Sequence, residues 1–137
     1  MFLLDGESFE NVVRIVSLEE KFDILNGDNS GRSQSGDMYL EYVGTYFNYA
    51  VTFKRKNAAS LSEWDRFKNI LAKSHNEHII SILHDQTLLK DYHIYIARGQ
   101  RKLISTKHIQ GDQYESEWGD LSVEFTAMEP IDENLLT

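Results

Sequence analysis

Five histidines, His75, His78, His84, His93 and His108, are the side chains in this sequence best suited to metal or acid–base chemistry. A zinc site needs three or four converging ligands held by second contacts, and neither HExxH nor any comparable spacing occurs. His75 and His78 straddle the expected end of a helix and start of a strand, His84-Asp85 opens a turn, and His93 and His108 fall in strands. They read as surface or core-edge groups, and no metal is expected. Asp28, Asn29, Ser30, Gly31 and Asp37 offer oxygen ligands, but they miss the EF-hand register and lack its flanking helices, so calcium is not expected either. Glu115, Glu117 and Asp120 lie near Tyr114 and Trp118, a grouping that resembles the rim of a sugar site, with Tyr114, Trp118 and Glu117 as its stacking and hydrogen-bonding platform. Glu115 and Glu117 project from one face of a strand, the usual arrangement of an exposed rim, and imply no acid–base pair at a defined distance. There is no phosphate-binding glycine loop, no serine in a nucleophile elbow and no cysteine. No catalytic residues and no cofactor follow from these patterns, and the chain reads as a non-enzyme.

The charge distribution narrows the partners. The chain has 137 residues, about one domain, with 41% apolar and 12% aromatic residues, enough for a real core. Its net charge of −8 gives no basic footprint for nucleic acid, and sequence-specific binding to DNA or RNA is not expected. All eight acids after Lys107 (Asp112, Glu115, Glu117, Asp120, Glu124, Glu129, Asp132 and Glu133) stand without a Lys or Arg among them. The bases cluster at Lys54-Arg55-Lys56 and at Arg98, Arg101, Lys102 and Lys107. A basic region and a separate acidic end allow copies to dock on one another, although solvated loops and strand ends give the same pattern. Met1-Phe2-Leu3-Leu4-Asp5 lacks a basic leader and reaches an acid after three apolar residues, so it is not read as a signal peptide. No apolar run approaches the ~18 residues of a membrane span, and no membrane partner is expected.

The elements that would carry these residues are mostly strands. Leu61, Trp64, Phe67, Ile70 and Leu71 recur at helical spacing, and Ser60 with Glu63 forms a capping-box pattern, predicting one amphipathic helix over about 60–74. Tyr46–Phe53 is rich in aromatic and β-branched residues. Tyr92, Ile94 and Ile96, and likewise Leu121, Val123 and Phe125, alternate with polar or small neighbours, predicting strands with one buried face. Shorter strands are expected at Val12–Val16, Phe22–Leu25, Met38–Val43, His78–Leu83 and Leu103–Lys107, with turns at Gly99-Gln100 and Gly111-Asp112. Residues 26–37 form a polar loop far longer than the ~2–5 residues of most hairpins, the kind of loop that orders against a partner. One domain is expected over 1–130, with 131–137 as a tail or docking arm. The fold class is mainly β, with a β-sandwich or bent antiparallel sheet flanked by the single helix.

Three stretches carry a resemblance. Phe22-Asp23-Ile24-Leu25-Asn26-Gly27-Asp28-Asn29-Ser30-Gly31-Arg32 runs on to Ser35-Gly36; Gly44-Thr45-Tyr46-Phe47-Asn48-Tyr49 follows; and Phe125-Thr126-Ala127-Met128-Glu129-Pro130 closes the domain. This order resembles the structural proteins of phage and prophage tails of Gram-positive bacteria, over roughly Phe9 to Pro130. The sequence departs from that pattern in having no proline near His78–His84 and in its residues after Pro130.

The resemblance implies a tail-tube-like fold and a virion structural subunit made in the host cytoplasm. Its partners would be copies of itself in a ring and other tail proteins, at the level of tube, distal tail or baseplate. Asp28, Asn29, Arg32, Gln34 and Glu129 would then belong to the contact between subunits. Arg32 is the residue best suited to a charge-assisted contact with a neighbour's acids, and Arg32→Ala is expected to weaken assembly while leaving monomer melting nearly unchanged. An acidic tube lumen would let DNA slide without sticking. A carbohydrate-binding attachment module built on Tyr114, Trp118 and Glu117, and a monomeric baseplate or head–tail adaptor, are the alternatives.

Overall fold

The computed structural model describes residues 2–26, 31–32, 38–39, 42–73 and 77–136. The fold opens with a hairpin between β1 (Phe2–Leu4) and β2 (Glu7–Ser8). Its turn is Asp5-Gly6, with φ of 50° and 81°, the paired positive values that a two-residue turn needs to match strand twist. Then come β3 (Val13–Asn26), the short pair β4 (Gly31–Arg32) and β5 (Met38–Tyr39), β6 (Tyr42–Arg55), α1 (Leu61–Ala72), β7 (His78–His84), β8 (Thr87–Gln100), β9 (Leu103–Gln110), β10 (Gln113–Trp118), β11 (Leu121–Ala127) and a 3-10 turn at Glu133–Leu136. The chain is thus mainly β with antiparallel sheets, and one α-helix is present among the described residues. Seven strands form the main sheet in the order β2-β1-β7-β8-β11-β6-β3, while β9–β10 and β4–β5 are separate two-stranded ladders.

The sheet is strongly curled. Phe2 of β1 stands 5.1 Å from Phe53 of β6 and 6.0 Å from Phe125 of β11, although β7 and β8 lie between β1 and β11 in the sheet. Twist comes partly from the β7–β8 pairing, which shifts register between Ile80 and Ile82 opposite Asp91. Asp91 takes a φ of 52°, a left-handed backbone that Asp tolerates better than most residues, and such bulges increase local twist. The concave side is filled by alternate residues of the strands, among them Ile80, Ile82, Ile94, Val51, Val123 and Phe125. Helix α1 covers part of it with Trp64, Phe67 and Leu71, and Phe67 meets Phe9 and Phe53 edge-on at 5.0 Å. The helix begins as the sequence predicts: the Glu63 amide donates to Ser60 Oγ at 3.1 Å, and the Ser60 amide to the Glu63 carboxylate at 3.4 Å. A bidentate pair from Arg66 to Glu7, at 2.9 and 3.0 Å, ties α1 to β2.

Several expectations are corrected. The separate strands at Val12–Val16 and Phe22–Leu25 are one strand of 14 residues. A register shift between Ile15 and Ser17 breaks the alternation that the sequence reading relies on, and pairing with β6 carries the polar stretch Ser17–Lys21. Gly99-Gln100 is not a turn, because Gly99 pairs with Val123 and Gln100 with Ser122 inside the β8–β11 ladder. Of the loop expected over 26–37, residues 27–30 and 33–37 lie outside the described residues; Asn26 ends β3 and Gly31-Arg32 form β4, where Arg32 pairs with Met38 of β5. Just past Pro130, Ile131 is only 4% exposed, and its amide donates to the Thr45 carbonyl at 2.8 Å. Gly44 sits against Pro130 at this point, and a Cβ on Gly44 would lie 2.4 Å from the proline Cβ.

Candidate assembly surfaces

Two ribbons extend beyond the part of the sheet that the core supports. The first is the β9–β10 arm, which continues the β8–β11 ladder past Gln100 and Leu121. Every residue of β9 is exposed, and in β10 only Ser116 and Trp118 are partly covered. The register places Thr106 and His108 on one face with Ser116 and Tyr114, none of them a carboxylate, lysine or arginine, and Ile104 is the extra residue at the register shift beside them. Thr106 and Ser116 share a hydrogen bond of 3.0 Å, the His108 and Tyr114 rings lie 4.9 Å apart, and His108 Nε2–H donates to the Gly111 carbonyl at 2.8 Å. Ser105, Lys107, Glu115 and Glu117 occupy the other face. Ile104 is 64% exposed and Tyr114 60%.

The root of the arm is fixed. The Gly119 amide donates to the Lys102 carbonyl at 2.7 Å. The Arg101 guanidinium lies 4.6 Å from the Trp118 ring centre and donates to Asp65 of α1 at 3.0 Å. Arg55 donates to the Ala59 carbonyl at 2.7 Å and stands 3.8 Å from Glu117. A cation over an indole contributes about 0.5–2 kcal/mol, depending on how dry it is, so Arg101 joins arm and helix through two contacts.

The second ribbon is the far half of β3 with the start of β6. Ile15, Leu18, Glu20, Phe22 and Ile24 lie opposite Phe53, Val51, Tyr49, Phe47 and Thr45 on the concave side. The row leaves the core as it proceeds, and Phe22 and Ile24 are 60% and 57% exposed. Beyond β3 the main sheet has no further strand among the described residues, so this long edge carries unpaired backbone groups. The opposite edge, β2, is two residues long.

The other candidate groups are distributed as follows. Glu129 is exposed and its carbonyl accepts from the Tyr92 hydroxyl at 3.1 Å. Asp28, Asn29, Gln34 and His75 lie outside the described residues. Tyr114 and Trp118 differ in exposure: Tyr114 is 60% exposed, whereas Trp118, opposite Leu103 across a register shift, is partly covered, with Arg101 over its ring. Of the histidines expected at the surface or the core edge, His78 and His84 are buried. His78 Nδ1 is 2.8 Å from Asp5, whose other carboxylate oxygen accepts from the Ile79 amide at 2.9 Å. His84 Nδ1 lies 3.5 Å from the Tyr49 hydroxyl and 3.6 Å from Glu20. Burial, helped by Glu20, pushes the Tyr49 phenol far above its usual range, so it stays protonated and orders β6 against β7 rather than acting as a base. His93 is raised by its 2.9 Å hydrogen bond to Glu77. Among the described residues no group of three or more His, Asp or Glu could hold a metal ion, and no helix is long and apolar enough to cross a membrane.

Two clefts enter the concave side. One of about 190 Å³ is lined by Leu71, Ile96, Leu121 and Val123 between α1 and the sheet. The other, about 260 Å³, lies among Phe2, Phe9, Val13 and Phe53. Both fall below the roughly 300–1,000 Å³ of most small-molecule sites; Lys68, Gln100 and Arg101 also line the first, and Glu10, Arg14 and Lys56 the second. Phe22, Ile24 and Leu25 on one ribbon and Leu103, Ile104, Ile109 and Tyr114 on the other are large apolar side chains left exposed. The arm escaped the sequence reading because a strand at Leu103–Lys107 and a turn at Gly111-Asp112 do not reveal that nothing covers the hairpin. No protein-family model, curated protein or solved structure matches this chain.

Proposed function

We propose that this chain is a structural subunit that assembles with copies of itself, of the phage-tail class that its motif order resembles. The observation that carries the reading is the β9–β10 arm. A two-stranded hairpin is marginal in water by itself, and this one has a rigid root, an exposed uncharged face and no covering layer. Such an element gains its full stability from a neighbour. The open 14-residue edge of β3 adds a second surface of the same kind. The convex face near β3 and β11 supports a role beside DNA without binding it, since Ser17, Thr52 and Ser122 with Glu19 and Glu124 surround Arg98 as the one base of that group. The subunit's place is the virion tail, its partners are copies of itself and other tail proteins, and it does no catalysis.

Light scattering coupled to size exclusion over a wide concentration range, with negative-stain images of each peak, tests the reading. Rings or stacked tubes are the expected result. A monomer at every concentration would remove self-assembly and leave an adaptor that binds a different tail protein. A Trp fluorescence response to cell-wall sugar would redirect the reading to attachment.

A further inference from the structure

The pairing registers place the two ribbons at opposite ends of the sheet. At one end Val13 pairs with Arg55, Leu121 with Phe53 and Gln100 with Ser122, and the arm leaves from there. At the other, beyond the Ala127–Ile94 pair that ends β11, Phe22 and Ile24 pair with Phe47 and Thr45. From Phe53 to Thr45 is about 26 Å of strand at ~3.3 Å per residue, and the arm points away from that end. The two exposed apolar surfaces therefore cannot cover one another within one chain, yet they face one another when copies are stacked along the strand direction.

Building on the assembly reading above, we propose that the β9–β10 arm of one copy seats on the Phe22–Ile24 end of β3 in the next, head to tail. The surfaces match in three respects. The exposed Ile104 and Tyr114 of the arm meet the uncovered row of Phe22 and Ile24. β9, an arm strand with an open edge, carries Lys107 and no acid, with Lys102 just before it and Glu115 of β10 on its inner side opposite Lys107, whereas the far half of β3 presents Glu19, Glu20 and Asp23 around the single base Lys21. Both β9 and β3 have an outer edge without a partner strand among the described residues, so the arm strand can extend the neighbour's sheet. A contact between different surfaces on the two copies does not close on itself as a dimer; it propagates into a ring or an open stack, depending on the rotation per step.

The chain has no cysteine, which supplies a clean background for cross-linking. Ile104→Cys and Ile24→Cys are made singly, mixed in equal amounts and treated with a short bismaleimide, with melting curves confirming that both fold. The expected product is a mixed dimer, absent when either variant is treated alone, and a ladder from the double variant. In parallel, Ile104→Glu and Ile24→Glu are each expected to weaken self-association at least tenfold without lowering the monomer melting temperature. If the copies associate but Ile104→Cys cross-links to itself, or if neither glutamate variant weakens association, the head-to-tail seating is wrong while assembly stands. If the unmodified chain is monomeric at every concentration and no cross-link forms, the seating and the assembly reading both fail.

Discussion

Gly44→Ala tests how the C-terminal segment is held against β6. The added Cβ would sit 2.4 Å from the Pro130 Cβ and 3.1 Å from its Cγ, where carbon atoms prefer ~3.5–4.0 Å, so one side must yield by more than 1 Å. The chain has two ways to respond. It can absorb the strain, at about 1–3 kcal/mol for an overpacked site. Alternatively, residues 129–131 can peel away, exposing Ile131 at about 1.5–3 kcal/mol. Peeling also gives up the Ile131–Thr45 and Tyr92–Glu129 hydrogen bonds, at about 0.5–1.5 kcal/mol each. The cheaper route sets the cost, so Gly44→Ala should destabilise by about 1–3 kcal/mol, or about 4–12 °C in melting temperature at roughly 4 °C per kcal/mol for a chain of this size. Hydrogen exchange at the Ile131 amide separates the routes, because peeling deprotects it and strain does not. The contacting atom also dictates the rescue. Pro130→Ala keeps the offending Cβ and should not relieve Gly44→Ala, whereas Pro130→Gly removes it and should restore about 0.5–3 kcal/mol in a double-mutant cycle. Unchanged melting of Gly44→Ala, or equal rescue by Ala and Gly at 130, would refute this account of the contact.

Two further perturbations bear on the arm root and on a surface pair. Arg101→Ala removes the cation over Trp118 and the link to Asp65, so acrylamide quenching of tryptophan fluorescence should rise against the background of the buried Trp64; unchanged quenching would mean that the guanidinium does not shield the indole. Glu77→Gln removes the carboxylate that raises His93 above its ordinary 6.5. In the parent chain the Glu77 contact contributes stability below pH about 6.5 and fades as pH rises through the raised value. NMR titration should therefore show His93 moving down in Glu77→Gln, with that pH dependence lost, and an unmoved titration would place the cause elsewhere.

The elements legible in advance were those whose pattern is local. Ser60 and Glu63 sit at capping-box spacing, and Trp64, Phe67 and Leu71 share one helical face, so α1 was readable to within two residues at each end. Tyr92, Ile94, Val123 and Phe125 alternate and are buried as that alternation requires. The Asp5-Gly6 hairpin carries a strong local signal as well, but its strands are so short that no alternation draws attention to them. The unity of β3 was hidden by the bulge near Val16, which changes the phase of the alternation midway. The histidines illustrate the opposite limit. Spacing places His78 and His84 at strand ends, but the β1–β7 pairing brings His78 to Asp5 and the curl of the sheet carries His84 to Tyr49 and Glu20.

The class of the fold, the position of its helix and the lack of a recognisable catalytic motif can all be read from residues close together along the chain. Tertiary structure decided which strands are left without cover. Ile104, Tyr114, Phe22 and Ile24 follow the same residue preferences as buried strand positions, and whether a layer packs over them depends on where the curled sheet and its one helix end. It also decided that the two uncovered ribbons leave from opposite ends, since direction follows from pairing register between β3, β6, β8 and β11. Register joins residues far apart in sequence, and it is settled by the collective burial of the sheet rather than by any one segment.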